Sequence, residues 1–260
     1  MISEDLFLLE NVEFTYPGSN FSLKEINLKI SKGEFITILG PNGSGKTTLL
    51  KLLSSAEKPT AGKILLKGRL LIDYSRNNLA KIISIVTQFN NITFPVSVFD
   101  FVSLGRSPHL NYLGYQNSRD VKIVNESLEK VELLKIANWP ITKISGGEFQ
   151  RALIARALAQ EPEIILLDEA TAHLDIKHQI EIFKLLENLN NDDRLTIIFV
   201  SHNLNLPEFF SKRFLLISNG KIFKDGSPDV AFTPANLKEI FDVDLLITRK
   251  GNYSGLLIKK

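Results

Sequence analysis

Apolar and polar side chains alternate along "FLLENVEFTYPG" and again along "FSLKEINLKI", on either side of a Pro-Gly turn. Alternation with a period of two predicts a pair of antiparallel strands. The pattern then shortens to "EFITILG", an apolar, β-branched run that ends in glycine, and "KTTLLKLLSS" follows with helical character. Further strand-like runs recur at "KILLKG", "KIISIVTQ", "EIILLDEA", "LTIIFVSH" and "RFLLISNG". Helical spacing appears in "RDVKIVNESLEKVELLKI", which places Val121, Val124, Leu128 and Val131 on one face. It appears again in "FQRALIARALAQ", stopped by Pro162, and in "KHQIEIFKLLENLN", with Ile180, Phe183 and Leu186 aligned. Strands alternating with helices predict an α/β core with a largely parallel sheet. A mostly helical lobe, from about residue 91 to 160, interrupts it. After about Ser227 the pattern predicts a short helix, "PANLKEIF", and a final strand, "GLLIKK". There is no internal repeat and no low-complexity tract.

Composition narrows the picture only a little. A chain of 260 residues fits one large domain, or one domain with a sub-lobe. A net charge of +2 favours neither nucleic acid nor lipid as partner. The absence of cysteine excludes disulfides, thiolate metal sites and a cysteine nucleophile. The start, "MISEDLFLLENVEF", lacks the basic region of a signal peptide. No run approaches eighteen consecutive apolar residues, so nothing is expected to span a bilayer. A membrane role would act through a partner.

The chemistry concentrates at strand ends. "GPNGSGKTT", comprising Gly40, Pro41, Asn42, Gly43, Ser44, Gly45, Lys46, Thr47 and Thr48, matches the phosphate-loop pattern between a strand and a helix. Glycines let main-chain N–H groups turn inward, and the helix start adds donors and partial positive charge. Lys46 is expected to reach the β- and γ-phosphates, and the Thr47 hydroxyl to ligate Mg²⁺. "IILLDEA" carries Asp168 and Glu169 at the carboxyl end of a buried strand, where parallel sheets bind ligands. Asp168 is placed to hold Mg²⁺ and Glu169 to take a proton from an attacking water. His202 and Gln88 each tip another core strand, and the Gln88 amide could ligate Mg²⁺ or position water. Tyr16 follows the first strand at a turn, where its ring either packs as a hydrophobe or stacks on adenine. His109, His173 and His178 form no metal pattern, and Asp175, His178 and Glu181 read as a solvated helix face.

"ISGGEFQR" supplies a second anion site, with Ser145 placed to cap a helix beginning near Glu148. Gly40–Thr48, Gln88, "ISGGEFQR", "IILLDEATAHLD" and His202 follow one another in the order and spacing of ATP-binding-cassette (ABC) ATPases. The resemblance covers nearly the whole chain. It implies a P-loop NTPase fold: a RecA-like core with a mostly parallel sheet, an N-terminal antiparallel β-subdomain and an inserted helical subdomain. The implied division is 1–90 with 160–230 for the core, 91–159 for the helical part bearing the signature, and 231–260 for the tail. The resemblance also implies that Ser145, Gly146, Gly147 and Glu148 serve the nucleotide of a second copy in a head-to-tail pair. Ala172–Asp175 would then be the loop that communicates between the copies, with Asp175 near the nucleotide. Three positions depart from the family pattern: Ile144 stands where leucine is usual, Glu148 where glutamine is usual, and Ala170 where proline is usual.

"FPVSVFDFVSLGRSPHL" fits the surface that receives a short helix from a transmembrane permease, with Val98, Phe101 and Val102 as a buried stripe. This run, "PTAGKILLKGRLL" and the tail "GSPDVAFTPANLKEIFDVDLL" resemble importer ATPases for iron chelates, heme and vitamin B12. Zinc, manganese and molybdate importers look similar around residues 94–106, and a non-transport regulatory cassette is the other alternative. The expected partners are a second copy, permease subunits and, indirectly, an extracytoplasmic substrate-binding protein, with no nucleic acid. The expected place is the cytoplasmic face of the cell membrane. Sustained heptads, a second cassette and fused membrane helices are lacking, which argues against repair, translation-associated and exporter members.

Overall fold

The computed structural model describes residues 5–18, 21–87, 95–110, 115–171, 174–202, 206–242, 245–250 and 253–258. Gln88, Ala172 and His173 lie outside the described residues. The chain forms two compact units, Met1–Tyr74 with Glu187–Lys260, and Ser75–Leu186.

The first unit begins with β1 (Asp5–Thr15) and β2 (Ser22–Ser31), paired antiparallel as their alternation predicts. The register shifts near Asn11, which has a φ of 48°. Asn27 bridges the irregularity, its Oδ1 accepting from the Asn11 main-chain N–H at 2.9 Å. Next come β3 (Phe35–Leu39), α1 (Lys46–Leu53), β4 (Ala61–Leu66) and the two-residue β5 (Arg69–Leu70). One sheet of this unit runs β2-β1-β4-β5. Every side chain of β3 is buried, as expected for a strand covered on both faces.

The second unit holds α2 (Arg76–Ala80), β6 (Ile83–Val86), α3 (Val98–Ser103), α4 (Ser118–Lys130), α5 (Gly146–Ala159) and β7 (Ile164–Asp168). β6 and β7 pair in parallel. Val98, Phe101 and Val102 are buried as predicted. Val121 is not: it is 40% exposed. The inward face of α4 is instead set by Asp120, Val124, Ser127 and Leu128, because Asp120 turns in to meet Arg106. Both are almost wholly buried. Arg106 Nε donates to Asp120 Oδ1 at 2.9 Å, and Nη1 donates to the Ala159 carbonyl at 2.7 Å and to Glu161 Oε2 at 2.8 Å. Sequence pattern gives no sign of this cluster, since its members stand 14, 53 and 55 positions from Arg106.

α6 (Ile176–Asp193) leads back to the first unit and its β8 (Thr196–Val200), β9 (Arg213–Ser218), β10 (Lys221–Gly226), α7 (Pro228–Ala231) and α8 (Pro234–Phe241). β3 pairs in parallel with both β8 and β9, and β10 closes an antiparallel hairpin on β9. Phe214, Phe232, Leu237 and Ile240 pack with Leu39 in one apolar cluster. The tail ends in a hairpin, β11 (Leu245–Lys250) with β12 (Tyr253–Ile258). The sequence reading found β12 and missed β11. No helix among the described residues is long and apolar enough to cross a membrane.

Candidate functional site

In the first unit the phosphate loop joins β3 to α1. Gly43 and Gly45 have φ of 77° and 110°, conformations that suit glycine. Space matters as much as dihedrals. A Cβ on Gly45 would lie 2.5 Å from Leu23 Cδ2, and one on Gly40 would lie 2.1 Å from the Ile217 carbonyl oxygen. No side chain caps the start of α1. Lys46 is 5% exposed, and its Nζ donates to the carbonyls of Gly40 at 2.8 Å and Pro41 at 2.9 Å. The Ser44 hydroxyl is buried without a hydrogen-bond partner. An uncapped helix start, a buried ammonium and an orphaned hydroxyl in one glycine cradle fit a polyphosphate. Thr47 is exposed on the same turn.

Tyr16 is half-buried at the end of β1. Its ring meets Phe14 edge-on at 4.7 Å, and Lys51 of α1 lies 5.5 Å from its centroid. The ring thus belongs to the neighbourhood of the phosphate-loop helix. His202 is exposed two residues beyond β8.

In the second unit, four buried residues of β7 lead to half-buried Asp168 and Glu169. Glu169 has a φ of 49°. Glu25, Glu132 and Glu161 share this left-handed conformation, so the place of Glu169 at the strand end, and not its dihedral, singles it out. Thr47 and Asp168 offer hydroxyl and carboxylate oxygen, donors that suit Mg²⁺.

The signature turn also lies in the second unit, and α5 begins at Gly146 rather than near Glu148. Glu148 explains the earlier start. Its Oε2 accepts from the Ser145 main-chain N–H at 2.8 Å and from the Ser145 hydroxyl at 2.7 Å. The Glu148 N–H donates in return to Ser145 Oγ at 3.3 Å. This reciprocal box satisfies helix-end donors that would otherwise lack partners. The two Ser145 donors hold the Glu148 carboxyl below the usual range, against a smaller opposing effect of burial. Ser145 and Gly146 are exposed, whereas Gly147 is buried.

Asp175, His178 and Glu181 do not form a purely solvated face. Glu181 accepts from Arg151 of α5 at 3.2 Å, and Asp175 Oδ1 bonds the His178 ring at 2.8 Å. The His178 ring in turn rests on Gly147. Sequence spacing could show the i, i+3 relation of Asp175 and His178, but not the helix they lie against.

Comparisons with known proteins agree with these features. The ABC transporter family profile matches residues 23–172. The iron(3+)-hydroxamate import ATP-binding protein FhuC of Bacillus subtilis is 37% identical, over 87% of this chain and 84% of that protein. A solved metal-chelate type ABC transporter in an inward-facing conformation superposes with a TM-score of 0.87 at 31% identity, covering 98% of both chains. A dimeric bacterial ABC transporter cassette gives 0.72 at 33% identity, over 85% of this chain and 98% of the other. A glycine cradle for polyphosphate, an acid-tipped strand and a capped Ser-Gly-Gly turn thus occur in a chain that belongs to the ABC transporter family and is an ATPase.

Proposed function

We propose that this chain is the ATP-hydrolysing subunit of an importer that takes up a metal chelate, such as a ferric siderophore, heme or cobalamin, through a separate permease. The observation that carries the reading is the similarity, along almost the full length, to an iron-hydroxamate import subunit and to a metal-chelate transporter. Two copies would pair head to tail, as the dimeric cassette makes reasonable. The exposed Ser145–Gly146 turn of one copy would then complete the nucleotide site of the other. The subunit would work at the cytoplasmic face of the membrane, with a substrate-binding protein on the far side.

Each residue has a role in this reading. The Gly40–Thr48 loop wraps the phosphates, Lys46 balances their charge, and Tyr16 stacks on adenine. Thr47, Asp168 and Gln88 would hold Mg²⁺, which when bound supplies positive charge to the β- and γ-phosphate oxygens. Glu169 takes a proton from the attacking water, and His202 holds the γ-phosphate in register. Asp175 lies in the loop facing the partner. Leu104, 58% exposed just beyond the buried stripe of α3, supports a permease contact on that side of the second unit.

The test is light scattering of Glu169→Gln with and without ATP, alone and with the co-expressed permease. An ATP-dependent shift from monomer to dimer is expected, together with co-purification from membranes. A variant that binds ATP and stays monomeric even on the permease would overturn the shared-site reading.

A further inference from the structure

His178 has no part in the chemistry described so far, yet it touches both segments assigned to face a partner's nucleotide. Asp175 Oδ1 accepts two hydrogen bonds from it, from the main-chain N–H at 2.9 Å and from ring Nδ1 at 2.8 Å. An ionised carboxylate only accepts, so Nδ1 carries the proton. The other side of the ring lies against the signature turn. A Cβ on Gly147 would fall 2.6 Å from His178 Cδ2 and 3.1 Å from Cγ. Glycine at this position therefore admits the imidazole as closely as a side chain can approach a helix backbone. Gly147 is helical without positive φ, so the need for glycine here is spatial. The Arg151–Glu181 pair joins α5 and α6 about one turn further along both helices.

We propose that His178 is a positioning residue of the composite nucleotide site, fixing the Asp175 loop to the Ser145–Gly147 turn so that both segments meet the partner's nucleotide as one rigid surface. This rests on the shared-site reading above. The physical reason is entropic. Two segments that must be ordered separately on closure each lose conformational freedom, whereas a pre-joined pair loses less. The ring suits this task because it is planar, has few rotatable bonds, and carries a donor on the edge that faces Asp175.

The charges around the ring are mixed. Glu148 faces it from α5, where Arg151 pairs with Glu181, and Asp175, Lys177 and Glu181 belong to its own segment. The His178 main-chain N–H, and after it the ring hydrogen bond, hold the Asp175 carboxyl below its ordinary range. Asp175 is therefore an ionised acceptor for His178 at neutral pH.

The experiment uses the full chain in the Glu169→Gln background, with Mg·ATP, and measures the dimer dissociation constant by sedimentation velocity. ATP binding to the dilute monomer is measured alongside with a fluorescent ATP analogue. Asparagine keeps a planar amide that can donate to Asp175, so His178→Asn should dimerise like the parent. Leucine fills similar volume without a donor, and alanine removes both contacts. Both His178→Leu and His178→Ala should weaken the dimer about 25-fold, the roughly fivefold scale of one net hydrogen bond at each of its two symmetric sites, with monomer ATP binding unchanged. A leucine variant that dimerises like the parent would show that the ring only packs, and the inference would fall alone. Weakening of the asparagine variant to the level of alanine would also overturn it. Failure of the parent itself to dimerise would instead overturn the shared-site reading on which the inference rests.

Discussion

At the scale of single residues, the acids divide by what surrounds them. Glu169 stands at a left-handed turn beyond a fully buried strand segment and is assigned the proton of the attacking water. Glu169→Gln should keep ATP binding and lose about 10²–10⁴ in turnover, read by phosphate release under saturating ATP. Glu148 has a structural task. Its folded pKa is depressed by the Ser145 N–H and hydroxyl, so its contribution to stability is present above its unfolded pKa and disappears as pH falls through the lower folded one. Thermal melts of Glu148→Ala and wild type should therefore differ at neutral pH and converge in acid. Both acids were legible in the sequence as members of motifs. The glutamate at 148 was legible both as a charge near a phosphate and as part of a capped helix start, since a serine followed three residues later by glutamate is the signature of that box.

At the scale of elements, α4 and α5 are joined by Arg106. The guanidinium is 2% exposed and is met by one carboxylate of α4, the carbonyl of Ala159 and Glu161. Removing one member of a buried pair leaves the other charge without compensation. Glu161 still faces the guanidinium in Asp120→Asn, so that variant should lose less than the about 3–5 kcal/mol of a wholly uncompensated buried charge, read by chemical denaturation at neutral pH. Asp120 is held below its usual range first by the Asn117 main-chain N–H, then by Arg106. Its stabilisation is likewise lost on acidification, so the deficit of the asparagine variant should shrink in acid. Sequence periodicity could not reveal this. It weighs Val121 as apolar and Asp120 as polar, whereas the burial of Arg106 reverses their places. The missed β11 has a similar cause: its register with β12 runs from Leu245↔Ile258 to Lys250↔Tyr253, and pairing is not a property of one run alone.

At the scale of the whole molecule, the α/β organisation was legible because β3, β7 and β8 are short apolar runs, each ending near a motif. The family was legible because five motifs occur in a fixed order. In the proposed head-to-tail pair, the turn at Ser145 would tie that organisation to assembly. Ser145→Arg should bind ATP as a monomer and fail to form the ATP-dependent dimer, as read by light scattering in the Glu169→Gln background. Equal dimerisation of that variant would move the interface away from the signature turn.

The pairing of β3 with β8 and β9 has a consequence for synthesis of the chain. Ile36 finds its neighbours at Ile198 and Arg213, about 160 to 180 positions later. At roughly 5–20 residues per second of translation, "FITIL" must wait on the order of ten to thirty seconds before either partner strand has been made. It is apolar on both faces and is followed at once by the nucleotide loop. The nascent chain therefore carries a strand that ends up wholly buried unpaired for most of its time on the ribosome, and the phosphate loop can be set in its final shape only near the end of translation.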